Sequence, residues 1–188
     1  FTSPFIFNYN EQVRINGFPV MDTDFCQAFE KIETARGEIS LTPFEFTTLA
    51  ALLIFKKHHL DVLLMEVGLG GRLDAVNILD ADAAVVTSIG IDHVEWLGNT
   101  REVIAIEKAG IFRSGKPAVC GDPHPPFTLI EAANRTGALF YQQGIHFSYE
   151  AFSDYWSFTS DIWKIHTLPL PKLALQNMST VLMVVALL

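Results

Sequence analysis

The chain of 188 residues is long enough to bury a substantial core, and its 49% hydrophobic content excludes a disordered chain and a coiled coil. The formal net charge of −8 gives no basic face for a nucleic-acid backbone, so we expect no DNA or RNA partner. An anionic ligand would have to be held locally, by backbone amides, a few cations or a bound metal.

The cysteines and the termini bear on the compartment. Cys26 and Cys120 lie far apart without a CxxC motif, which indicates a reducing compartment and ordinary buried thiols. No charged-then-apolar leader opens the chain, and "VLMVVALL" at 181–188 is too short to span a membrane, so it reads as a helix. We expect a cytoplasmic protein with no membrane partner. The chain opens within "FTSPF" and closes inside this helix, so we expect part of a larger protein.

Two local signals organise the first third of the chain. The Asn16-Gly17 pair stands between two short extended pieces and predicts a hairpin over 11–20. "DTDFCQAFEKIETARG" has apolar residues at helical spacing and predicts a helix capped by Asp22 or Asp24.

The stretch "LTPFEFTTLAALLIFKKHHLD" predicts a second helix. Thr42 stands at the N-cap, Pro43 at the first helical position and Glu45 at the third, which together form a capping box. The cationic residues at 56–59 suit the last turn of such a helix.

Short apolar runs alternate with helical stretches after residue 60. "DVLLMEV", "AAVVTSI" and "PAVCG" predict buried parallel strands, with helices over "TREVIAIEKAGIF" and near 126–136, and a further strand near 138–142. The predicted class is α/β, with a mostly parallel sheet and helices on both faces, incomplete at both ends. The aromatic-rich segment 143–172 predicts short strands and turns in a meander.

Polar residues follow two of the predicted strands. Glu66 ends one strand, and Ser88, Asp92 and His93 end the next. If these strands are neighbours, a carboxylate and an imidazole meet at the carboxyl edge of the sheet, where ligands of open α/β sheets bind. Mg²⁺ and phosphoryl chemistry then become the hypothesis. Taken alone, Glu66 is more often a solvated or ion-paired side chain, and His93 is more often a hydrogen-bonded histidine than a ligand.

Two glycine-rich segments partly match known nucleotide-binding motifs. "GLGG" at 68–71 lets backbone approach a ligand closely, and the nearby Arg72 and Asp74 can equally form a loop ion pair. "GLGGRL" is not a dinucleotide fingerprint, because Leu73 replaces its third glycine. "GIFRSGKP" is not a P-loop, because Pro117 replaces the Ser or Thr and the segment follows a helix, so we expect a turn.

The segments "EVGLGGRLDAVNILDADAAVVTSIGIDHVEWLG", "EKAGIFRSGKPAV" and "GEISLTPFEFTTLAAL" resemble the folate branch of the Mur ligase family. The resemblance runs from "TSP" at 2–4 to "LPLP" and Asn177, and so covers nearly the whole chain. It implies an ATP-dependent ligase that forms an acyl phosphate on a pteroate or folate carboxylate, which the amine of L-glutamate then attacks.

The same resemblance implies a catalytic centre. Ser3 and Glu66 would be Mg²⁺ ligands, His93 would hold a second Mg²⁺, and Lys108 would match a carbamylated lysine that supports metal. Glu66 and His93 would also be catalytic. The alternative for Lys108 is a surface lysine paired with Glu107 or Glu102.

Substrate positions follow from the resemblance as well. Asn177 would contact ATP, although a helix N-cap is an alternative role for it. The residues that match segments contacting the pteroate are Thr42, Pro43, Phe44, Glu45, Leu73, Asp74 and Ala75.

The resemblance also implies a domain organisation. Residues 1–188 would form the central ATPase-type domain, with the family's P-loop before Phe1 and its ligase domain after Leu188. We therefore expect the isolated chain to be inactive and the full-length protein to be a monomer that uses ATP, Mg²⁺, L-glutamate and dihydropteroate or folate. The alternatives are a non-catalytic fragment that folds or binds pterin without turnover, and a Mur-type ligase acting on a peptidoglycan precursor.

Overall fold

The computed structural model describes residues 1–188 and divides them into two compact units. The first unit comprises residues 1–69 and 73–78, and the second comprises residues 70–72 and 79–188.

The first unit consists of a hairpin, two long helices and two short 3₁₀ helices. Its elements are the 3₁₀ helix Tyr9–Gln12, β1 (Arg14–Ile15), β2 (Phe18–Pro19), α1 (Asp22–Arg36), α2 (Pro43–Lys56) and the 3₁₀ helix Ala75–Ile78. The predicted hairpin is confirmed, since β1 pairs with β2 antiparallel and Asn16 and Gly17 have φ values of 51° and 86°. Two successive positive φ values are what a type I′ turn requires.

Helix α1 is confirmed, but its predicted cap is wrong. The N-cap is Met21, and Asp22 is already helical. Asp24 lies in the first turn, where its carboxylate accepts the Met21 N–H at 3.2 Å. The acidic residues thus stabilise the helix start from inside its first turn, where they also favour the helix dipole.

The core of the first unit lies between the two long helices. Aromatic and small apolar side chains from both helices are buried there, together with residues of the hairpin and of the second 3₁₀ helix: Val13, Val20, Phe25, Ala28, Ile32, Ala50, Ala51, Ile54, Phe55 and Val76. Small residues on α2 let α1 approach closely, while the phenylalanines of α1 fill the space between the helices.

The predicted buried strand at 61–67 is not a strand of any sheet. Val62, Leu63 and Leu64 are 70%, 48% and 81% exposed, so this prediction is wrong. Phe1 donates from its N to Leu64 O at 2.8 Å and accepts from Glu66 N at 3.0 Å, the pattern of a parallel pair. The segment is therefore extended, but a pair with a single residue is too short for a ladder.

The second unit contains the parallel sheet. Its elements are β3 (Ala84–Val86), α3 (Val94–Leu97), α4 (Arg101–Ala109), β4 (Pro117–Cys120), α5 (Phe127–Thr136), β5 (Leu139–Gln142), β6 (Phe147–Ala151), β7 (Tyr155–Ser160), β8 (Lys164–Pro169) and α6 (Leu175–Leu187). Strands β3, β4 and β5 are parallel in that order, and β6, β7 and β8 form the predicted antiparallel meander. The strand predicted over 83–89 stops at Val86, opposite Cys120 at the end of β4.

Helices cover the parallel sheet. Val119 of β4 packs in one cluster with Met183 of α6 and with Phe147 and Phe158 of the meander. Side chains alternate along β4, so the buried Ala118 and Cys120 point to the opposite face of the sheet. Helix α5 contacts both β5 and α4 and adds a second helical layer. The α/β class with a helix-flanked parallel sheet is confirmed.

The two cysteines differ in their surroundings. Cys120 is buried, and burial raises the pKa of its thiol to about 11. Cys26 is exposed on α1, so the expectation of a second buried thiol is wrong. None of the helices combines the length and the apolar character that crossing a bilayer requires.

The capping box of α2 yields a stability prediction. Thr42 Oγ1 accepts the Glu45 N–H at 3.2 Å, so we expect Thr42→Ala to lower the free energy of unfolding by about 1 kcal/mol. Urea unfolding of this variant and of a Thr42→Ser control at neutral pH measures the difference. Equal stability of the two variants would contradict the assigned cap.

Glu45 adds a pH dependence to this prediction. Hydrogen bonds from the backbone and side chain of Thr42 lower the pKa of the Glu45 carboxyl. The stability that they contribute is therefore present above the ordinary pKa of a glutamate and is lost as the pH falls through the lowered value.

Candidate functional site

Glu66 and Ser3 lie side by side in the first unit. The Glu66 carboxylate is exposed, accepts the Thr2 hydroxyl and lies 3.3 Å from the Ser3 N. Glu66 owes this position to the backbone pair between Phe1 and the extended segment, which places residues 1–3 beside residues 64–66. The structure thus places the Ser3 backbone and the Thr2 hydroxyl beside Glu66, and metal binding by the Ser3 and Glu66 side chains stays a prediction.

This pair suits Mg²⁺ chemically. A carboxylate and a neighbouring hydroxyl are hard oxygen donors, the type that Mg²⁺ prefers. The structure has no group of three or more His, Cys, Asp and Glu side chains placed to hold a metal. One carboxylate with few protein partners is the pattern for Mg²⁺, which keeps several waters and takes substrate phosphates as ligands.

His93 ends a loop of the second unit, residues 87–93, which we call the His93 loop. His93 is exposed, caps α3 with φ 50°, and its backbone N donates to Asp92 Oδ1 at 2.7 Å. Glu66 belongs to the first unit and His93 to the second. Their meeting at one metal centre remains a prediction, and the strand neighbours on which it was based are absent, because residues 61–67 form no strand.

Asp74 organises the glycine loop, which we define as residues 68–74. Its Oδ2 accepts the backbone N–H groups of Gly68 at 3.0 Å and Leu69 at 2.9 Å, and its Oδ1 accepts that of Val76 at 2.9 Å. Both oxygens therefore satisfy loop amides that have no ladder partner. Beside it Leu73 is 80% exposed, and Ala75 begins a 3₁₀ helix.

Arg72 binds the Glu107 carboxylate of α4, with Nη2 to Oε1 at 3.0 Å, and donates its backbone N to Glu107 O at 2.8 Å. The loop ion pair between Arg72 and Asp74, which the sequence left open, stays a prediction. A Cβ on Gly71 would lie 2.9 Å from Glu107 O, so only glycine permits this approach. These contacts fix residues 70–72 against the turn of α4 that carries the half-buried Lys108.

The start of α2 borders a cleft of about 510 Å³ in the first unit. Thr42 and Pro43 line it together with the aromatic rings of Tyr9, Phe29 and Phe46. Its volume falls in the range of small-molecule sites, roughly 300–1,000 Å³. Apolar rings beside a helix N-terminus can hold a flat heterocycle with polar edges.

The next two residues of α2 have other surroundings. The Phe44 ring packs on Phe1 at 5.8 Å between centroids. A Cβ on Gly68 would lie 2.6 Å from that ring, so Phe44 supports the glycine loop. The Glu45 carboxylate accepts the Thr42 N–H at 2.7 Å, which completes the capping box.

Asn177 lies exposed in the first turn of α6, where it is free to face a ligand. Its alternative role as N-cap is wrong, because the N-cap is Ala174. The preceding residue was not singled out from the sequence: Gln176 Nε2 donates to Gly121 O at 2.6 Å and to Ser88 Oγ at 3.0 Å.

Sequence reasoning also missed a half-buried ion pair beyond the ends of β3 and β4. Asp122 Oδ2 accepts from Arg101 Nη2 at 2.7 Å and from Ile89 N at 3.1 Å, and Asp122 is only 7% exposed. The available signal was the position of Asp122, which follows the apolar "PAVCG" run where a parallel strand ends.

The turn interpretation of "GIFRSGKP" is confirmed. Residues 110–116 connect α4 to β4, Gly115 has φ 70°, and Lys116 Nζ pairs with Asp82 Oδ1 at 2.8 Å. A P-loop connects a strand to a helix, which is the reverse order.

Comparisons with known proteins agree with this architecture. The chain is 48% identical over 182 residues to the dihydrofolate synthase/folylpolyglutamate synthase of Escherichia coli, across 97% of this chain and 43% of that protein. The structure of E. coli FolC in complex with DHPP and ADP matches 99% of this chain and 45% of its own, with a TM-score of 0.97 and 47% identity.

A bifunctional folylpolyglutamate synthase/dihydrofolate synthase with Mn, AMPPNP and L-glutamate bound matches with a TM-score of 0.94 and 44% identity, over 100% of this chain and 46% of its own. The chain thus spans less than half the length of these relatives. The family model of the Mur ligase middle domain matches residues 22–185. This match covers most of the chain, which therefore belongs to the Mur ligase middle-domain family.

Proposed function

We propose that this chain is the central, ATP-binding part of an ATP-dependent ligase that adds L-glutamate to dihydropteroate or folyl-glutamates. The observation that carries the proposal is the exposed Glu66 carboxylate beside Ser3, next to a glycine loop, on a fold whose relatives bind nucleotide, metal, DHPP and glutamate. Such a ligase first moves the γ-phosphoryl group of ATP to the substrate carboxylate and releases ADP. The amine of glutamate then attacks the acyl carbon, and phosphate leaves.

Ser3 and Glu66 would hold one Mg²⁺ and His93 a second one, as the hydroxyl, carboxylate and imidazole allow. When bound, Mg²⁺ disperses the charge of the transferring phosphoryl group. The chain's part is to fix these ligands: the pair between Phe1 and the extended segment holds Glu66 beside Ser3. A carbamylated Lys108 would supply a further anion that can support metal.

Substrate positioning falls to the glycine loop, the start of α2 and the start of α6. Asp74 and Phe44 hold the glycine loop in shape, so that Leu73 and Ala75 would meet the pteroate. The cleft beside Thr42 and Pro43 would take its ring system, with Glu45 keeping the helix N-terminus intact. Asn177, exposed on α6, would contact the nucleotide.

The remaining proposals concern the whole protein. We propose that it acts as a monomer in the cytoplasm without nucleic-acid or membrane partners, and that residues 1–188 form its central domain. The P-loop and the ligase domain would lie in other parts of the same polypeptide.

The decisive experiment measures ADP formation by the complete gene product with ATP, Mg²⁺, dihydropteroate and L-glutamate. We expect ADP release that depends on glutamate. We expect none from the 188 residues alone, because residues 110–116 form a turn and offer no phosphate cradle. A complete gene product that binds dihydropteroate but releases no ADP would favour a pterin-binding role without turnover.

Glu66→Gln tests the metal site directly. A neutral amide cannot replace the anion at Mg²⁺, so we expect kcat/KM of the complete gene product to fall by about 100-fold or more. Glu38→Gln, which removes another exposed carboxylate of the first unit, is the matched control and should leave the rate unchanged. Near-normal activity of Glu66→Gln at saturating Mg²⁺ would refute the assignment.

Asp74→Ala tests whether this residue acts by shaping the glycine loop. Three backbone N–H groups lose their acceptor, so we expect the free energy of local opening around residues 68–76 to fall by about 1–3 kcal/mol. Hydrogen exchange measures this change, and KM for dihydropteroate should rise with it. A higher KM without faster exchange would assign Asp74 to direct substrate contact instead, and Asp61→Asn serves as the control.

A further inference from the structure

The His93 loop has little support of its own. Residues 87–93 contain no helix or strand, and Ile89 is the one buried residue among them, with 4% of its surface exposed. His93 itself is exposed and has a left-handed backbone conformation. The position of His93 therefore depends on α3, whose Trp96 and Leu97 N–H groups donate to His93 O, and on how firmly Ile89 is held.

Both backbone groups of Ile89 are held by one ion pair. Ile89 N donates to Asp122 Oδ2 at 3.1 Å, and Ile89 O accepts from Arg101 Nε at 2.8 Å. Arg101 and Asp122 are joined at 2.7 Å, so the amide and the carbonyl of one residue are bound by two partners that also bind each other.

The ion pair connects three parts of the second unit. Asp122 follows β4 and also accepts the His124 N–H at 2.9 Å, while Arg101 begins α4 and also donates to His124 O at 3.0 Å. The pair thus fastens the His93 loop to the loop after β4 and to α4. Asp122 is 7% exposed, so water competes little for its oxygens and the hydrogen bonds keep their strength.

Asp122 and two nitrogens of Arg101 are engaged inside the protein. Hydrogen bonds occupy both oxygens of Asp122 and the Nε and Nη2 atoms of Arg101. Their chemistry is that of a support: a buried carboxylate and a forked guanidinium that orient backbone.

We propose that Asp122 and Arg101 are positioning residues that hold Ile89 and thereby place His93 for metal binding. The inference rests on the proposed function for the role of His93, but the hold on the His93 loop can be measured without it. A further hydrogen bond, from Gln176 to Ser88 Oγ at 3.0 Å, links this loop to α6, the helix that carries Asn177.

Arg101→Lys and Asp122→Asn test the proposal in the complete gene product. Lysine keeps a positive charge beside Asp122 but cannot reproduce the forked donors that reach Ile89 O and Asp122 together. The matched control is Asp82→Asn, which breaks the exposed Lys116–Asp82 pair just before β3, at the opposite end of that strand from the His93 loop. Should Asp122→Asn fail to fold, Arg101→Lys alone decides.

The first measurement is hydrogen exchange of the Ile89 amide, which donates to Asp122 Oδ2. We expect about tenfold faster exchange in Arg101→Lys and in Asp122→Asn than in the unaltered protein, and no change in Asp82→Asn. Exchange equal to that of the control would overturn the proposal. Because no metal or substrate is needed, this result stands apart from the proposed function.

The second measurement is Mn²⁺ binding, followed by electron paramagnetic resonance. We expect about tenfold weaker affinity in both variants at the site that His93→Ala abolishes. In a His93→Ala background the same substitutions should have no further effect, and a loss that persists there would overturn the link to His93. If the unaltered protein shows no binding that depends on His93, the proposed metal role fails, and the exchange result decides the positioning role.

Discussion

Backbone N–H groups in loops without a ladder partner are the constraint on which the candidate site depends. Two carboxylates satisfy them: Asp74 accepts three amides around the glycine loop, and Asp122 accepts two in the loops after β3 and β4. An unpaired backbone group removed from water costs about as much as a lost hydrogen bond, so each carboxylate fixes the path of its loop. The segments that carry the candidate ligands are irregular in secondary structure, but their course is defined.

The same constraint separates the acidic residues by role. The carboxylate oxygens of Asp74 and Asp122 accept hydrogen bonds from backbone groups of the protein. The Glu66 carboxylate, in contrast, lies at the surface beside Ser3. A carboxylate engaged by several amides has little left for a metal, and an exposed one with few partners keeps the capacity that Mg²⁺ needs. The acidic residues behind the net charge of −8 therefore have different roles, and only their hydrogen bonds distinguish these roles.

Close packing of glycine backbone against neighbouring groups is the second feature that shapes the site. Gly68 lies against the Phe44 ring and Gly71 against the carbonyl of Glu107. The glycines that suggested room for a ligand thus also serve packing within each unit. Arg72 reinforces the second contact with its Glu107 pair, so the loop is held by packing, by backbone hydrogen bonds and by charge.

The sequence by itself determined the elements whose signals are local. The Asn16-Gly17 turn, the capping box at Thr42, the decoy character of "GIFRSGKP" and the meander after residue 143 depend on neighbouring residues, and the structure confirms each. The α/β class followed from alternating apolar runs, and the family from the density of its motifs.

Tertiary structure alone decided which polar residues meet. Apolarity predicted a strand at 61–67, but a strand also needs a neighbour along its length, and Phe1 provides one residue of pairing. Arg72 pairs with Glu107, 35 residues later in the chain, and Asp122 binds Arg101 and Ile89, 21 and 33 residues earlier. Spacing along a sequence limits such pairs only within a helix or turn, whereas pairs between loops depend on how sheet and helices bring the strand ends together.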